Sequence, residues 1–326
     1  MIIILFEDGI QVDMMEKKTK TVAVMMSSYN GELFIEEQIN SVLRQSGVDV
    51  HLYIRDDGST DKTIRILQEY SDMDNVTVEY GRNVGVGNSF MDLLWSIPDT
   101  YDYYSFCDQD DVWETDKLIA AVTRLSTESG CALYASSLEC VDINNNSIGI
   151  KFEPGREFDS TLLSAICRNQ CFGCTQVFNK ELFLLLYSRR PAKQLLQTKF
   201  HDAWVSVSAA AAGRILYDRE SHIRYRRHGR NYNNSMNPGR VEKWKRRFSK
   251  LIHPKKRNPR SKMAREVIRC YPEYVEADKE AKMIYALAYP RRITNMIELI
   301  KNRKKIIPLT NESGAGFVFY VLAGWI

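Results

Sequence analysis

From Thr21 to about Ser136, short apolar runs alternate with amphipathic stretches, and no other feature of the chain constrains its fold as strongly. Such alternation is the signature of βα units feeding a mostly parallel sheet. Thr21-Val-Ala-Val-Met-Met26 reads as a buried first strand. Ile35, Ile39, Val42 and Leu43 then share one helical face, which predicts a helix between Leu33 and Gln45. His51 to Arg55, Val76 to Tyr80 and Tyr103 to Cys107 read as further strands, and a helix ending near Ile97 precedes the last of them.

Ligands of open α/β sheets bind beyond the carboxyl ends of the strands. Three polar loops fall there: Ser27 to Asn30, Asp56-Asp57 and Asp108 to Asp111. The loop Asp56 to Asp61 combines a turn glycine with helix N-cap residues. After Ser136 the periodicity predicts helices at Thr161 to Cys167, Lys180 to Tyr187 and His201 to Ala212. Short strands are expected at Thr175 to Phe178, Arg214 to Tyr217 and Ile223 to Arg226. From about Val241 the chain reads as helical and basic.

With 326 residues, 44% hydrophobic and 26% charged, the composition excludes a disordered or fibrous chain. The seven cysteines are odd in number and form no regular framework. With no secretory signal at the start, they predict a reducing, cytoplasmic setting. Met14 or Met15 is an alternative start, since the first recognisable element begins near Thr21. No apolar run reaches the roughly 20 residues that span a bilayer.

Asp108-x-Asp110 after a buried strand suits a hard cation such as Mg²⁺ or Mn²⁺, which favours oxygen ligands and keeps substrate phosphates in its shell. On an extended backbone both carboxylates would face one ligand. Taken alone, the same residues read as an acidic turn capping the helix after Trp113. The order of motifs decides between these readings. Ser27-Ser28-Tyr29-Asn30-Gly31, Glu36 to Gln45, Asp56 to Asp61, Asn83-Val84-Gly85, Cys107 to Trp113 and Asp116-Lys117-Leu118 follow one another along the chain. That series, over roughly Thr21 to Asn231, resembles the inverting glycosyltransferase family 2 and most nearly its bacterial rhamnosyltransferase-like branch.

The resemblance implies a GT-A fold, with a mostly parallel central sheet flanked by helices. It divides the chain into an extension at 1–18, a catalytic domain at 19–235 and a basic, mainly helical region at 236–326. It further implies that Ser27 and Tyr29 line a nucleobase pocket and that Asp57 accepts a hydrogen bond from the base. Asp108 would face the ribose or the metal's water shell. Asp110 and His228 would hold the metal, with the neighbouring arginines meeting the diphosphate, and Asp56 and Asp111 would cap and support. His201-Asp202-Ala203-Trp204 resembles the segment whose Asp is the general base, although Ala203 stands where the family pattern has Trp. As a sequence feature Asp202 is equally a helix N-cap. Asn169 to Thr175, with Gly173 and Cys174, resembles the loop that shapes the sugar and acceptor site.

The donor implied is dTDP-L-rhamnose first and UDP-sugars next. The acceptor implied is a lipid-linked or polysaccharide glycan of bacterial surface synthesis. Two alternatives share some of these residues. A sugar nucleotidyltransferase should open with a Gly-rich phosphate loop that Ser27 to Gly31 lacks, and a non-catalytic nucleotide-sugar binding module should lack Asp110 or Asp202. Asn83-Val84-Gly85-Val86-Gly87 is not a dinucleotide fingerprint, because Phe90 stands at its third glycine. Cys167-x3-Cys171-x2-Cys174 has iron–sulfur spacing, but bare spacing is weak evidence, Cys167 ends a helix and no strand opens a barrel.

Between Arg224 and Lys262 stand fifteen Lys and Arg side chains and a single acid, Glu242. A block of this kind expects phosphate. A nucleic-acid ligand would leave the carboxylate loops without a role, so none is expected. Lys301, Arg303, Lys304 and Lys305 precede the apolar Ala315 to Ile326. That combination predicts peripheral attachment to the inner face of the cytoplasmic membrane, or a segment that folds back on the catalytic domain.

Overall fold

The computed structural model describes residues 19–150, 158–196, 201–228, 259–310 and 312–326. The extension at 1–18, the 235/236 boundary and most of the basic block therefore lie outside the described residues.

The first half follows the expected alternation: β1 (Lys20–Ser28), α1 (Ile35–Leu43), β2 (Val48–Asp56), α2 (Thr63–Tyr70), β3 (Val76–Tyr80), α3 (Val86–Ser96) and β4 (Tyr103–Asp108). A two-residue strand, β5 (Val112–Trp113), comes before α4 (Lys117–Leu125). The long β6 (Cys131–Val141) and the short β7 (Ser147–Ile150) follow, then α5 (Leu162–Cys167), β8 (Val177–Asn179) and α6 (Lys180–Ser188). After α7 (Lys193–Leu196) come α8 (His201–Ala212) and β9 (Gly213–Arg226).

All nine strands join one sheet in the order β3-β2-β1-β4-β8-β6-β9-β5, with β7 paired to β6. The β3-β2-β1-β4 half is parallel, whereas β8 runs against both β4 and β6. Two features depart from the sequence reading. The strands expected at Arg214 to Tyr217 and Ile223 to Arg226 are one strand, β9, whose ladder with β6 shifts register near Ser137. The helix expected directly after Trp113 starts only at Lys117, because Trp113 lies in β5 against β9.

Successive residues of a strand face opposite sides, and β1 supplies two cores in this way. Val22, Val24 and Met26 enter a core beneath α1 and α4, while Ala23 and Met25 enter one shared with α3, α6 and α8. Each such large aliphatic side chain, fully buried, contributes about 1.5–3 kcal/mol of transfer free energy.

The second core continues into the C-terminal helices at Pro259–Cys270, Pro272–Ala277, Ala281–Ala288, Ile293–Lys301 and Gly314–Leu322. Trp204 stacks on Tyr271 at 5.5 Å, and Tyr271 donates to Ser208 at 2.7 Å. Phe317, Val321 and Ile326 are buried there, and the Ile326 carbonyl accepts from Ser261 at 2.7 Å. The apolar C-terminal run therefore packs back on the core along one face, leaving Phe319 and Leu322 exposed. Among the described residues, no helix is long and apolar enough to cross a membrane.

Candidate active site

The polar strand ends meet as the parallel register requires. Ser27 of β1 stands between Arg55 of β2 and Asp108 of β4. Ser27 donates to Ser89 at 2.7 Å, and Arg55 reaches the same hydroxyl at 2.8 Å. Arg55 also pairs with the buried Asp57 at 2.6 Å, and the Asp57 carboxylate accepts from the Val84 and Gly85 amides. Asp57 thus secures the loop before α3 as well as standing at the end of β2. Asp56 is a capping group, accepting from Ser28 and from the Gly58 and Ser59 amides. The Tyr29 side chain is 47% exposed on the next turn.

The acidic segment does not run on as an extended strand. Asp108 is the last residue of β4 and the chain turns at Gln109 and Asp110, so the segment is not extended there. This corrects the strand geometry expected for Asp-x-Asp. Asp110 Oδ2 meets His228 Nε2 at 2.8 Å. Asp108 instead groups with Asp111 and Cys174, one ligand atom from each lying within 4.8 Å of the others. Asp111 is fully buried and accepts the Arg226 amide at 3.2 Å. Burial, together with the negative charges of Asp110 and Asp108, holds its carboxyl well above the ordinary carboxylate range.

Buried carboxylates crowded in this way favour an added cation, and carboxylate and imidazole donors suit Mg²⁺ or Mn²⁺. The residues fit the expected metal: Asp110 and His228 are paired, and Asp108 and Asp111 stand on the same acidic segment.

Lys117 is wholly buried near this cluster. Its ammonium lies 3.5 Å from the Trp113 ring centroid and donates to Ser105 at 3.2 Å. Burial lowers its pKa to about 7, opposed by Cys107, Cys174 and Asp111.

Arg226 is turned inward, against the expectation that it meets a diphosphate. Its guanidinium donates to the Asp110 and Ile143 carbonyls, pairs with Glu37 and lies 4.7 Å from the Phe34 ring. It holds the acidic turn to β9. Arg230 lies outside the described residues.

Asp202 sits in the first turn of α8, where it accepts from Ala203 N–H at 2.8 Å and from the Asn169 amide at 2.7 Å. Capping and presentation to the site are therefore compatible roles. His201 stacks on Phe90 at 4.3 Å and meets Phe106 edge-on at 5.3 Å. Because Phe106 is two residues before Asp108, the start of α8 is brought to the end of β4. At Gly173 an added Cβ would lie 2.9 Å from His201 Nε2 and 3.4 Å from Asp202 Cβ, so only glycine permits this approach.

The three cysteines with cluster spacing do not gather. Cys167 packs in the core beside α8 and Cys174 in the one beside α4, and burial lifts the Cys167 and Cys171 thiols to about 12.

Residues 23–183 match the family model described as Glycosyl transferase family 2. The chain carries a glycosyl transferase family 2 domain. Among curated relatives it is similar to the dTDP-rhamnosyl transferase RfbG of Shigella flexneri, 29% identical over 217 residues that cover 63% of this chain and 72% of that protein. It is also similar to the UDP-Glc:alpha-D-GlcNAc-diphosphoundecaprenol beta-1,3-glucosyltransferase WfgD of Escherichia coli, 29% identical over 46% of this chain and 57% of that one.

Among solved structures, S. aureus TarS 1–349 in complex with UDP-GlcNAc superposes with a TM-score of 0.54 at 16% identity, covering 93% of this chain and 87% of that one. That likeness establishes the GT-A fold for this family 2 glycosyltransferase.

Sequence reasoning did not reach the parts played by Arg55, Ser89, Gln109 and Asn169. Only Gln109 carried a signal: a residue between two carboxylates aimed at one ligand has to point elsewhere.

Proposed function

We propose that this transferase moves a sugar from a nucleoside diphosphate to a hydroxyl acceptor with inversion at the anomeric carbon. The observation that carries the reading is the Asp110–His228 pair, formed on the same acidic turn whose Asp108 and Asp111 group with Cys174. Asp202 stands beside Gly173 at the start of α8. In the proposed step the acceptor oxygen bonds to the anomeric carbon while the bond to the diphosphate oxygen breaks. The acceptor proton passes to the Asp202 carboxylate. Ser27, Tyr29, Asp57 and Asp108 bind the nucleotide, and Gly173 and Cys174 shape the sugar site. A Mg²⁺ or Mn²⁺ ion held by Asp110 and His228 would offset negative charge on the leaving diphosphate.

The first donor candidate is dTDP-L-rhamnose, supported by the similarity to the Shigella protein, and UDP-sugars follow. The acceptor proposed is a lipid-linked or polysaccharide glycan of bacterial surface synthesis, reached from the cytoplasmic face of the membrane. Peripheral attachment there is supported by Ile293, Ile297, Phe319 and Leu322, exposed on two helices that pack together, with Lys301, Arg303 and Lys304 close by in the chain. Lys305 is paired with Glu280.

The test is a panel of dTDP- and UDP-sugars incubated with the purified chain and Mg²⁺ or Mn²⁺. Metal-dependent release of nucleoside diphosphate from one donor is expected, and release from none overturns the reading. Flotation with anionic vesicles that is lost at high salt is the outcome expected of the attachment; no flotation at low salt rejects it.

A further inference from the structure

Between the two carboxylates of the acidic turn, the Gln109 side chain reaches back to the turn after β1. Its Oε1 accepts the Tyr29 amide at 2.9 Å and its Nε2 donates to the Tyr29 carbonyl at 3.1 Å. One side chain thus satisfies both backbone groups of Tyr29, as a neighbouring strand would. The amide orientation is dictated, since the Tyr29 N–H can only donate and its carbonyl only accept. Gly31 is what lets Gln109 in: a Cβ at position 31 would lie 2.4 Å from Gln109 Oε1.

The same turn is tied to the end of β2. Asn30, in the left-handed region with φ 49°, donates its amide to Ser59 and accepts from the Thr60 amide. Gln109 therefore links the Tyr29 turn to the acidic turn.

We infer that Gln109 is a positioning residue that couples the turn binding the nucleobase to the turn binding the cation, so that a cation at Asp110 tightens nucleotide binding by ordering Tyr29. This deepens the proposed function and rests on it. The donor's base and its diphosphate are held by different loops, and a two-point hydrogen bond from the x of Asp-x-Asp makes one loop report to the other.

Three variants separate the hydrogen bonds from packing. Gln109→Met keeps the volume and loses both bonds, Gln109→Ala loses volume as well, and Gly31→Ala displaces an intact Gln109. Amide exchange measured by NMR on the unliganded chain should speed up at Tyr29 about tenfold or more in all three, with Val22 to Met26 unchanged. With saturating Mn²⁺, affinity for dTDP or UDP should fall about tenfold. The factor by which Mn²⁺ tightens nucleotide binding should shrink, and donor KM should rise with kcat within about twofold. Gly31→Ala added to Gln109→Ala should cost less than about twofold more, because the clash partner is gone.

Unchanged Tyr29 exchange in Gln109→Met overturns the coupling while leaving the donor reading intact, as does an unaltered Mn²⁺ effect on nucleotide affinity. Wild-type protein that binds neither nucleotide with Mn²⁺ removes the donor reading and this inference with it.

Discussion

Asp110 Oδ2 and His228 Nε2 lie 2.8 Å apart across 118 residues of chain, joining the turn after β4 to the residues that follow β9. Each orients the other, so removing either should undo the same function. Asp110→Asn and His228→Ala should each lower turnover by roughly a hundredfold or more, the scale of losing one charge-stabilising group. Melting curves with and without Mn²⁺ provide the check. A cation at a hundred times its Kd adds about 2.7 kcal/mol to the wild type. Neither variant should keep that gain, and a full gain in Asp110→Asn would show that the metal is held elsewhere.

Asp202 accepts from Ala203 N–H and from the Asn169 side-chain amide. Asp202→Asn preserves shape and an acceptor oxygen but abolishes the basic carboxylate. Turnover should drop by about 10²- to 10⁴-fold, while circular dichroism and nucleotide affinity stay close to wild type. Near-normal turnover in a folded Asp202→Asn protein would leave Asp202 as a helix cap only.

Gly173→Ala should act through geometry alone. The new Cβ would crowd His201 Nε2 at 2.9 Å, and His201 is itself packed against Phe90 and Phe106. With little room for the ring to yield, the start of α8 must shift. Displacing the base by a fraction of an ångström should cost kcat about tenfold or more, with a smaller effect on donor KM. Steady-state kinetics that leave kcat unchanged would mean that the His201 ring gives way.

Lys117 makes a prediction about stability and pH. Its folded pKa is about 7, against an ordinary 10.5. Between those values the unfolded chain binds more protons than the native one, so stability rises with pH, at a slope approaching about 1.4 kcal/mol per unit. Below about pH 7 both states are charged and the cost of burial is fully present. Lys117→Met should lack the rise. Urea unfolding of both proteins at pH 6, 8 and 9.5 measures the difference, and parallel curves would refute the lowered pKa.

Several elements could be read from local sequence because local rules govern them. β1, β3, β4 and α8 appear within a residue or two of the positions that apolar periodicity predicts. Asp56 caps its turn through the Gly58 and Ser59 amides, a role that the family resemblance implied. β9 was read as two strands because its exposed middle breaks the apolar pattern, while ladder bonds to β6 carry it through. The inward turn of Arg226 had no local signal, since Glu37, Phe34 and the Ile143 carbonyl come from distant segments.

By itself the sequence determined the βα order, the strand-end placement of Ser27, Asp57 and Asp108, and the family. Periodicity, turn chemistry and motif order are properties of neighbouring residues. Only the tertiary structure decided that Asp108 gathers with Asp111 and Cys174 and that Asp110 meets His228. It alone placed Gln109 on Tyr29 and His201 under Gly173. The physical reason is that side-chain direction at a strand's end depends on where the chain turns and on what packs against the turn, and most of those partners lie tens to more than a hundred residues away.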